Sequence, residues 1–514
     1  MSRTQNATRN LIWGFLNKVV VLVLPFVTRT LFIYTLGTLY LGLNGLFTSI
    51  LQVMNISELG INSAITFSMY KPLAEKNTKE VNALLSFYRL CYRIIGVIVL
   101  VIGLSLTPIL NKLIKGDVPT DINVYALYLV YLIGAFLSYE LFSYRTALLV
   151  ATQRNDIVSK VSSITAIGQF SLQLLILVYF KNYYLYIVVS NLTAIANNII
   201  CALICKRLYC DYKPFGKVDR IVLLEIRKKI GGMVFQKIGG VVLTSVDSIV
   251  ISAFLGLQVL TVYQNYYFVI SSLFGILAVI MGSLTATIGN SIVLESKEKN
   301  HNDFVKFNFL YIWIVGWCSI CLICMYQPFI RIWVGSKLLL PFYMVILFAI
   351  YFLVHKWCDM LYVYQEACGI WWETRWVPIV AAVINLITNI ILVNVIGLAG
   401  ILISTIISVV FVYDVGYAKV LFITYFKDKE LLKRYWIKQL LYLLSVVINA
   451  TITYLICSII SFESAWASLI INGCICVIIP NVIFIILWKR FNEFSVSMKF
   501  IEGLILHRIS RKHK

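Results

Sequence analysis

The chain has 514 residues, of which 60% are hydrophobic and 13% charged, with a net charge of +21 and a mean hydropathy of +0.88. A water-soluble domain carries about 25% charged residues, so lipid must solvate much of this surface and a soluble globular enzyme is excluded. From the N-terminus, fourteen apolar segments are predicted: 9–35, 41–69, 83–110, 122–150, 156–180, 183–205, 230–255, 260–293, 304–330, 341–367, 375–395, 398–426, 438–460 and 466–488. Each meets the roughly 20 residues a membrane-crossing helix needs. They are too long and too uniformly apolar for barrel strands, and only helices or closed barrels satisfy every backbone polar group in lipid. The first segment exceeds a signal-peptide core and lacks a small-residue cleavage site, so it is expected to be a retained span.

The connections alternate in charge. Of the 44 Lys and Arg, 31 fall on one side, if the N-terminus is placed inside. They include Arg3 and Arg9, Lys71, Lys76 and Lys79, eight in 206–229, six in 419–438 and seven in 489–514. The opposite side holds Lys112, Lys115, Lys181, Arg331 and Lys337. The positive-inside rule therefore predicts a multi-pass protein of a bacterial cytoplasmic membrane with both termini cytoplasmic. The basic charge is spent on topology, so nucleic acid is not expected as a partner.

The two halves repeat weakly, as transporters often do. Asn17-Lys18 matches Gln236-Lys237, and Leu36-Gly37 matches Leu255-Gly256, each at an offset of 219. Glu75-Lys76-Asn77 matches Glu298-Lys299-Asn300 at 223, and Gln169/Gln173 match Asn385/Asn389 at 216. Six helices separate the copies, so the repeat is parallel. The expected organisation is a six-helix bundle in 1–205, a basic cytoplasmic linker in 206–229, a second six-helix bundle in 230–426, and helices thirteen and fourteen with a basic tail in 427–514.

The stretch Leu41-Gly42-Leu43-Asn44-Gly45-Leu46-Phe47, with Glu58-Leu59-Gly60 and Tyr70-Lys71-Pro72-Leu73-Ala74, resembles the N-terminal signature of Wzx-type polysaccharide flippases. Tyr263-Gln264-Asn265-Tyr266 and Ile288-Gly289-Asn290 are similar to the same group. These flippases serve O-antigen, capsule or exopolysaccharide synthesis within the multidrug/oligosaccharidyl-lipid/polysaccharide exporter superfamily. The resemblance implies two bundles facing a central cavity and transport by alternating access. It implies a polyprenyl-diphosphate-linked oligosaccharide as substrate, and membrane lipids and polysaccharide polymerase machinery as partners. At Tyr364-Gln365-Glu366-Ala367-Cys368-Gly369 the family would lead one to expect a basic–acidic pair, and only Glu366 is present.

Ionisable residues inside spans are costly and become candidates for function. Lys18 and Arg29 are eleven residues apart, so they share one stripe of the first helix, with Pro25 between them to kink it. Lys237 is the repeat partner of Lys18. In a water-filled cavity these cations would bind a diphosphate; the competing reading is snorkelling of Lys18 and Lys237 to the inner interface and anchoring of Arg29 at the outer one. Glu58 and Asp247 are candidates for holding a coupling ion or proton, or for pairing with a nearby cation. Gln169/Gln173 and Asn385/Asn389 are i,i+4 polar stripes, which serve either sugar hydroxyls or hydrogen bonds between helices. Lys356 and Asp359 are placed to neutralise each other, and Glu140 and Arg145 less directly. The twelve cysteines lie mostly in apolar runs, Cys318, Cys321 and Cys324 every third residue; they read as packing residues, with no metal and no disulfide framework expected. No Walker-type loop occurs, so no nucleotide cofactor is expected. Rival readings are a small-molecule or multidrug exporter of the same fold, or a membrane polysaccharide polymerase; short external connections and only four histidines argue against the latter.

Overall fold

The computed structural model describes residues 3–55, 61–460 and 464–512, and among them there is no strand. The helices run in order α1 (Arg3–Thr35), α2 (Thr38–Met54), α3 (Ile61–Ala74), α4 (Thr78–Leu106), α5 (Val124–Glu140), α6 (Tyr144–Ala151), α7 (Asn155–Leu175), α8 (Tyr183–Leu208) and α9 (Arg220–Leu255). They continue with α10 (Leu257–Leu294), α11 (Lys297–Val334), α12 (Phe342–Trp357), α13 (Asp359–Cys368), α14 (Trp376–Ile396), α15 (Leu398–Ser408), α16 (Val415–Val420), α17 (Lys429–Ile459), α18 (Ala465–Trp488) and α19 (Asn492–Lys512). The protein is an all-α membrane protein. Among the described residues, twelve helical stretches are long and apolar enough to cross a bilayer, and α5 with α6, bent by 50°, make a thirteenth if they are one span. The segment expected at 41–69 is α2 and α3, with residues 56–60 between them outside the described residues.

Polar caps start many of these helices and satisfy backbone N–H groups that have no partner within the helix. Asn77 accepts from the Glu80 N–H, Asn123 from Ala126, Asn182 from Leu185, Ser296 from Lys299 and Asp428 from Glu430 and Leu431. Two glycines at turns are needed for another reason. Gly37 (φ 103°) and Gly256 (φ 92°) lie in backbone regions that disfavour a Cβ. They occupy matching places in the repeat, between α1 and α2 and between α9 and α10. The caps Asn77 and Ser296 are also 219 residues apart, so local structure follows that offset. The 223-residue match is not equivalent: Asn77 caps α4, whereas Asn300 lies inside α11 and donates to the Ser291 carbonyl.

The helices pack as two compact units, Met1–Thr261 and Val262–Lys514. This division differs from the one suggested by the repeat, because α9 packs on α2 and α3 in the first unit. A Cβ on Gly42 would come within 2.4 Å of the Leu257 carbonyl oxygen, so only glycine allows this approach of α2 to the α9–α10 turn. The Lys115 N–H donates to the Ser252 carbonyl at 3.0 Å on the same end of α9. The linker expected over 206–229 is shorter as irregular chain: α8 runs to Leu208 and α9 begins at Arg220.

In the second unit a helix follows the last span where only a basic tail was expected. α19 lays Phe500 against Phe307 at 5.6 Å and stacks Phe494 on Trp313 at 6.0 Å, while Glu493 pairs with Lys438.

Candidate functional site

The lower half of α1 is strapped to α7. Asn10 donates to the Gln153 carbonyl at 3.1 Å and accepts from the Asp156 N–H at 2.8 Å. Asn17 donates to the Ser159 carbonyl at 3.3 Å and to Ser163 Oγ at 3.1 Å. Asp156, fully buried, holds Arg9 at 2.9 Å, Arg154 at 3.1 Å and Lys160 at 3.9 Å. Lys160 also sits 4.7 Å over the Trp13 ring. A buried carboxylate is tolerated only when paired and hydrogen-bonded, and this one is tied by three cations. Sequence reading assigned Asp156 no role; its partners lie 147 residues upstream at Arg9 as well as beside it.

With Asn17 turned to α7, Lys18 is exposed. Above it Pro25 removes a backbone donor, and Thr28 Oγ1 donates to the Leu24 and Pro25 carbonyls at 3.2 and 3.3 Å. Arg29 is partly buried beside Tyr186. Tyr186 belongs to an aromatic wall: its ring lies 5.0 Å from Phe32, which meets Tyr183 at 5.5 Å, and Tyr183 meets Tyr40 at 5.7 Å. The Tyr131 and Tyr183 hydroxyls are 3.0 Å apart, and Tyr131 donates to Asn44 Oδ1. Arg29 thus sits beside the hydroxyl-bearing ring of Tyr186, at the edge of this wall.

On α9, Lys237 is exposed, as its repeat partner Lys18 is. Asp247 is fully buried, on a stretch with buried Ser245, Ser248 and Ser252. Glu58 lies outside the described residues. The amide stripes are engaged between helices. Gln169 donates to Ser190 Oγ at 3.3 Å; Gln173 donates to the same oxygen at 2.7 Å and to the Tyr186 carbonyl at 3.2 Å, joining α7 to α8. Asn385 donates to Thr405 Oγ1 at 2.9 Å, joining α14 to α15, and Asn389 donates along α14 to Asn385 Oδ1 at 3.2 Å. All of Gln173, Asn385 and Asn389 are buried.

In the second unit Lys356 and Asp359 do neutralise each other, at 2.9 Å, and Tyr311 donates to the same carboxylate at 2.6 Å. Buried Asp414 was missed; it closes a π-helical stretch, Val409–Asp414, a distortion frequent at functional sites. Glu140 pairs with Arg93 at 3.5 Å rather than with Arg145. Gln365 and Tyr364 are structural: Gln365 bonds Thr374 across the turn, and Tyr364 donates to the Asn300 carbonyl at 2.9 Å.

A second feature that sequence reading missed is a basic pocket of about 450 Å³ lined by Arg89, Arg93 and Lys217 with Phe87 and Leu90. The chain after α8 folds back on α4 to make it. Lys213 N–H donates to Asn82 Oδ1 at 2.7 Å and Phe215 N–H to the Asn82 carbonyl at 3.2 Å. Arg89 and Arg93 are an i,i+4 pair on α4; the position of Lys217 beside them depends on the fold-back.

Several known proteins are similar to this chain. The model of a family described as polysaccharide biosynthesis protein matches residues 7–286. No curated relative matches the sequence. Among solved structures, the lipid II flippase MurJ in an inward closed conformation is 14% identical with a TM-score of 0.64, over 93% of this chain and 98% of its own. An inward-facing multidrug resistance transporter of the MATE family in the MOP superfamily is 13% identical with a TM-score of 0.60, over 77% and 93%. A MOP superfamily transporter from Pyrococcus furiosus is 13% identical with a TM-score of 0.53, over 80% and 94%. At such identities the likeness establishes the fold.

Proposed function

Because the chain belongs to the polysaccharide biosynthesis protein family, we propose that it flips a polyprenyl-diphosphate-linked oligosaccharide repeat unit from the inner to the outer leaflet of a bacterial cytoplasmic membrane. It works by alternating access, without enzymatic chemistry, in the service of surface polysaccharide synthesis. The observation that carries this reading is a set of cations that form no ion pair among the described residues, on the side rich in Lys and Arg: exposed Lys18 and Lys237, and Arg89 and Lys217 of the α4 pocket.

In this reading the α4 pocket takes the diphosphate first, since it pairs guanidinium and ammonium groups with the apolar Phe87 and Leu90 beside which a lipid chain can lie. Lys18 and Lys237 then receive the head group, and Arg29 with the Tyr40–Tyr183–Tyr186 wall meets the sugars farther along α1. The amide pairs hold helices together. Asp247 and Glu58 remain the candidates for a coupling cation or proton.

The test is accumulation. Deleting the protein should strand lipid-linked repeat units on the inner leaflet and abolish the surface polysaccharide. Normal polysaccharide in a strain with no second flippase would overturn the proposal. The MATE-type likeness supports a rival, a small-molecule or multidrug exporter of the same fold; that reading predicts drug sensitivity with polysaccharide intact.

A further inference from the structure

We propose that Cys321, Cys324, Cys457 and Cys476 form a site for a soft monovalent metal ion of the Cu(I) type, buried in the second unit. The thiols of Cys324, Cys457 and Cys476 come from α11, α17 and α18, all are buried, and their sulfurs lie within 4.8 Å of one another. Cys321, one turn before Cys324, packs on the same group and meets the Cys476 thiol. Met325 packs against it.

The backbone around these thiols is built in a matched way. Cys324 lies four residues before Pro328, and Cys476 four before Pro480, each inside a helix. Proline has no N–H to give to the carbonyl four residues back, so the carbonyls of both cysteines lose their helical partner. Each is taken by the facing helix. Asn472 of α18 donates to the Cys324 carbonyl at 3.0 Å, and Trp317 of α11 donates to the Cys476 carbonyl at 2.7 Å. Asn449 of α17 donates to the Pro480 carbonyl at 2.8 Å. Three helices are therefore fixed in register where the thiols meet.

Metal–sulfur bonds of about 2.3 Å put neighbouring sulfurs roughly 4 Å apart, so the three thiols need to close by less than about 1 Å. The donors are all sulfur, which selects soft ions such as Cu(I) or Zn(II) over hard ones. Charge decides between those two. Structural Zn(II) sites are four-coordinate with deprotonated Cys ligands, so Zn(II) on these four cysteines carries −2, whereas Cu(I) held by two thiolates carries −1 with the other two sulfurs left as thiols. The cost of burying charge grows with its square, and the surroundings are Ile320, Ile475, Ala450 and Tyr454. Binding then balances as one Cu(I) and two thiols giving a dithiolate complex and two protons. A pocket of about 160 Å³ lined by Gln327, Arg331, Cys457 and Asn472 touches the cluster at Cys457.

The test uses the full-length protein in detergent, titrated with Cu(I) against a chromogenic chelator under reducing, oxygen-free conditions. One ion per chain is expected, with a rise in melting temperature as binding to the folded state requires. Partners around a metal's ligands are worth roughly 10–100-fold in affinity, so losing a ligand in Cys324→Ser or Cys476→Ser should weaken binding by at least about 100-fold. Cys210→Ser and Cys474→Ser, at exposed positions, should leave it unchanged. The wild-type titration decides even if the variants misfold. No stoichiometric Cu(I), or a disulfide among the four cysteines in the freshly isolated protein, overturns the site. Tighter binding of Zn(II) than of Cu(I) overturns the monovalent assignment.

Discussion

Lys18 and Lys237 follow Asn17 and Gln236 at the same offset, and in each pair the amide is turned inward while the lysine is exposed. An exposed cation at a membrane surface is cheap to keep and cheap to lose, so position alone does not give it a role. A head-group contact does make a difference: a hydrogen bond to a charged group contributes roughly 1.5–3 kcal/mol, or about tenfold or more in binding. Lys18→Ala and Lys237→Ala should each reduce export to about a tenth without lowering the amount of protein in the membrane, and Lys→Arg should restore most of it. Normal export by the double Ala variant, at normal abundance, removes both residues from the site. Asp156 carries a different expectation. Its side chain is almost fully buried under Arg9, Arg154 and Lys160, and removing one partner of a buried pair typically costs roughly 3–5 kcal/mol. Asp156→Ala should therefore lower membrane abundance and melting temperature, whereas Arg9→Ala should be milder, since two cations remain. Equal loss in both variants would show that the α1 contact, not the carboxylate, holds the clasp.

At the scale of elements, the apolar segments fall on helical stretches among the described residues, since burial in lipid is written residue by residue along the chain. What it could not place are the breaks. The α5–α6 bend at Phe142 (φ 62°), the α12–α13 break at Cys358 and the π-helical stretch ending at Asp414 all lie inside continuous apolar runs. Side chains far away in sequence hold these irregular stretches, as Tyr435 does through its contact with Cys358 at 3.6 Å. The amide stripes show the same limit. Their i,i+4 spacing was legible, but whether they face a neighbour or a cavity depends on which helix lies opposite. Such interhelical bonds average about 0.6 kcal/mol in membranes, so Asn385→Ala or Gln173→Ala should change thermal stability slightly and leave export intact. Lost export with normal abundance would return these amides to the substrate-contacting set. Gly42 is less tolerant: a side chain there meets backbone at 2.4 Å, and the Leu257 carbonyl cannot yield as a flexible side chain would. Gly42→Val should sharply reduce folded protein, and an unchanged melting temperature would mean that α2 can shift without loss.

For the whole molecule, the charge pattern predicts an orientation that packing alone does not. Fold and family were legible because composition, segment length and short motifs are local signals. Sites made by chain folding back on itself were not. Lys217 joins Arg89 and Arg93 only because Asn82 captures the backbone at Lys213 and Phe215, and no periodicity in 206–229 announces that. The fold-back also offers a natural probe of orientation. Cys210 is exposed in the short connection between α8 and α9, on the side that holds most of the Lys and Arg. An excess of basic residues is retained on the cytoplasmic face, so a membrane-impermeant maleimide should leave Cys210 unlabelled in intact cells and label it in inverted vesicles. The reading needs a variant in which exposed Cys474 is replaced, so that a single exposed thiol reports. In that same variant, charge reversal of the pocket (Arg89→Glu with Lys217→Glu) should cut export strongly while leaving the labelling pattern as it was, because two charges among so many do not reset topology. Labelling of Cys210 from outside would invert the orientation, put the α4 pocket on the outer leaflet, and make it a release site instead of a capture site.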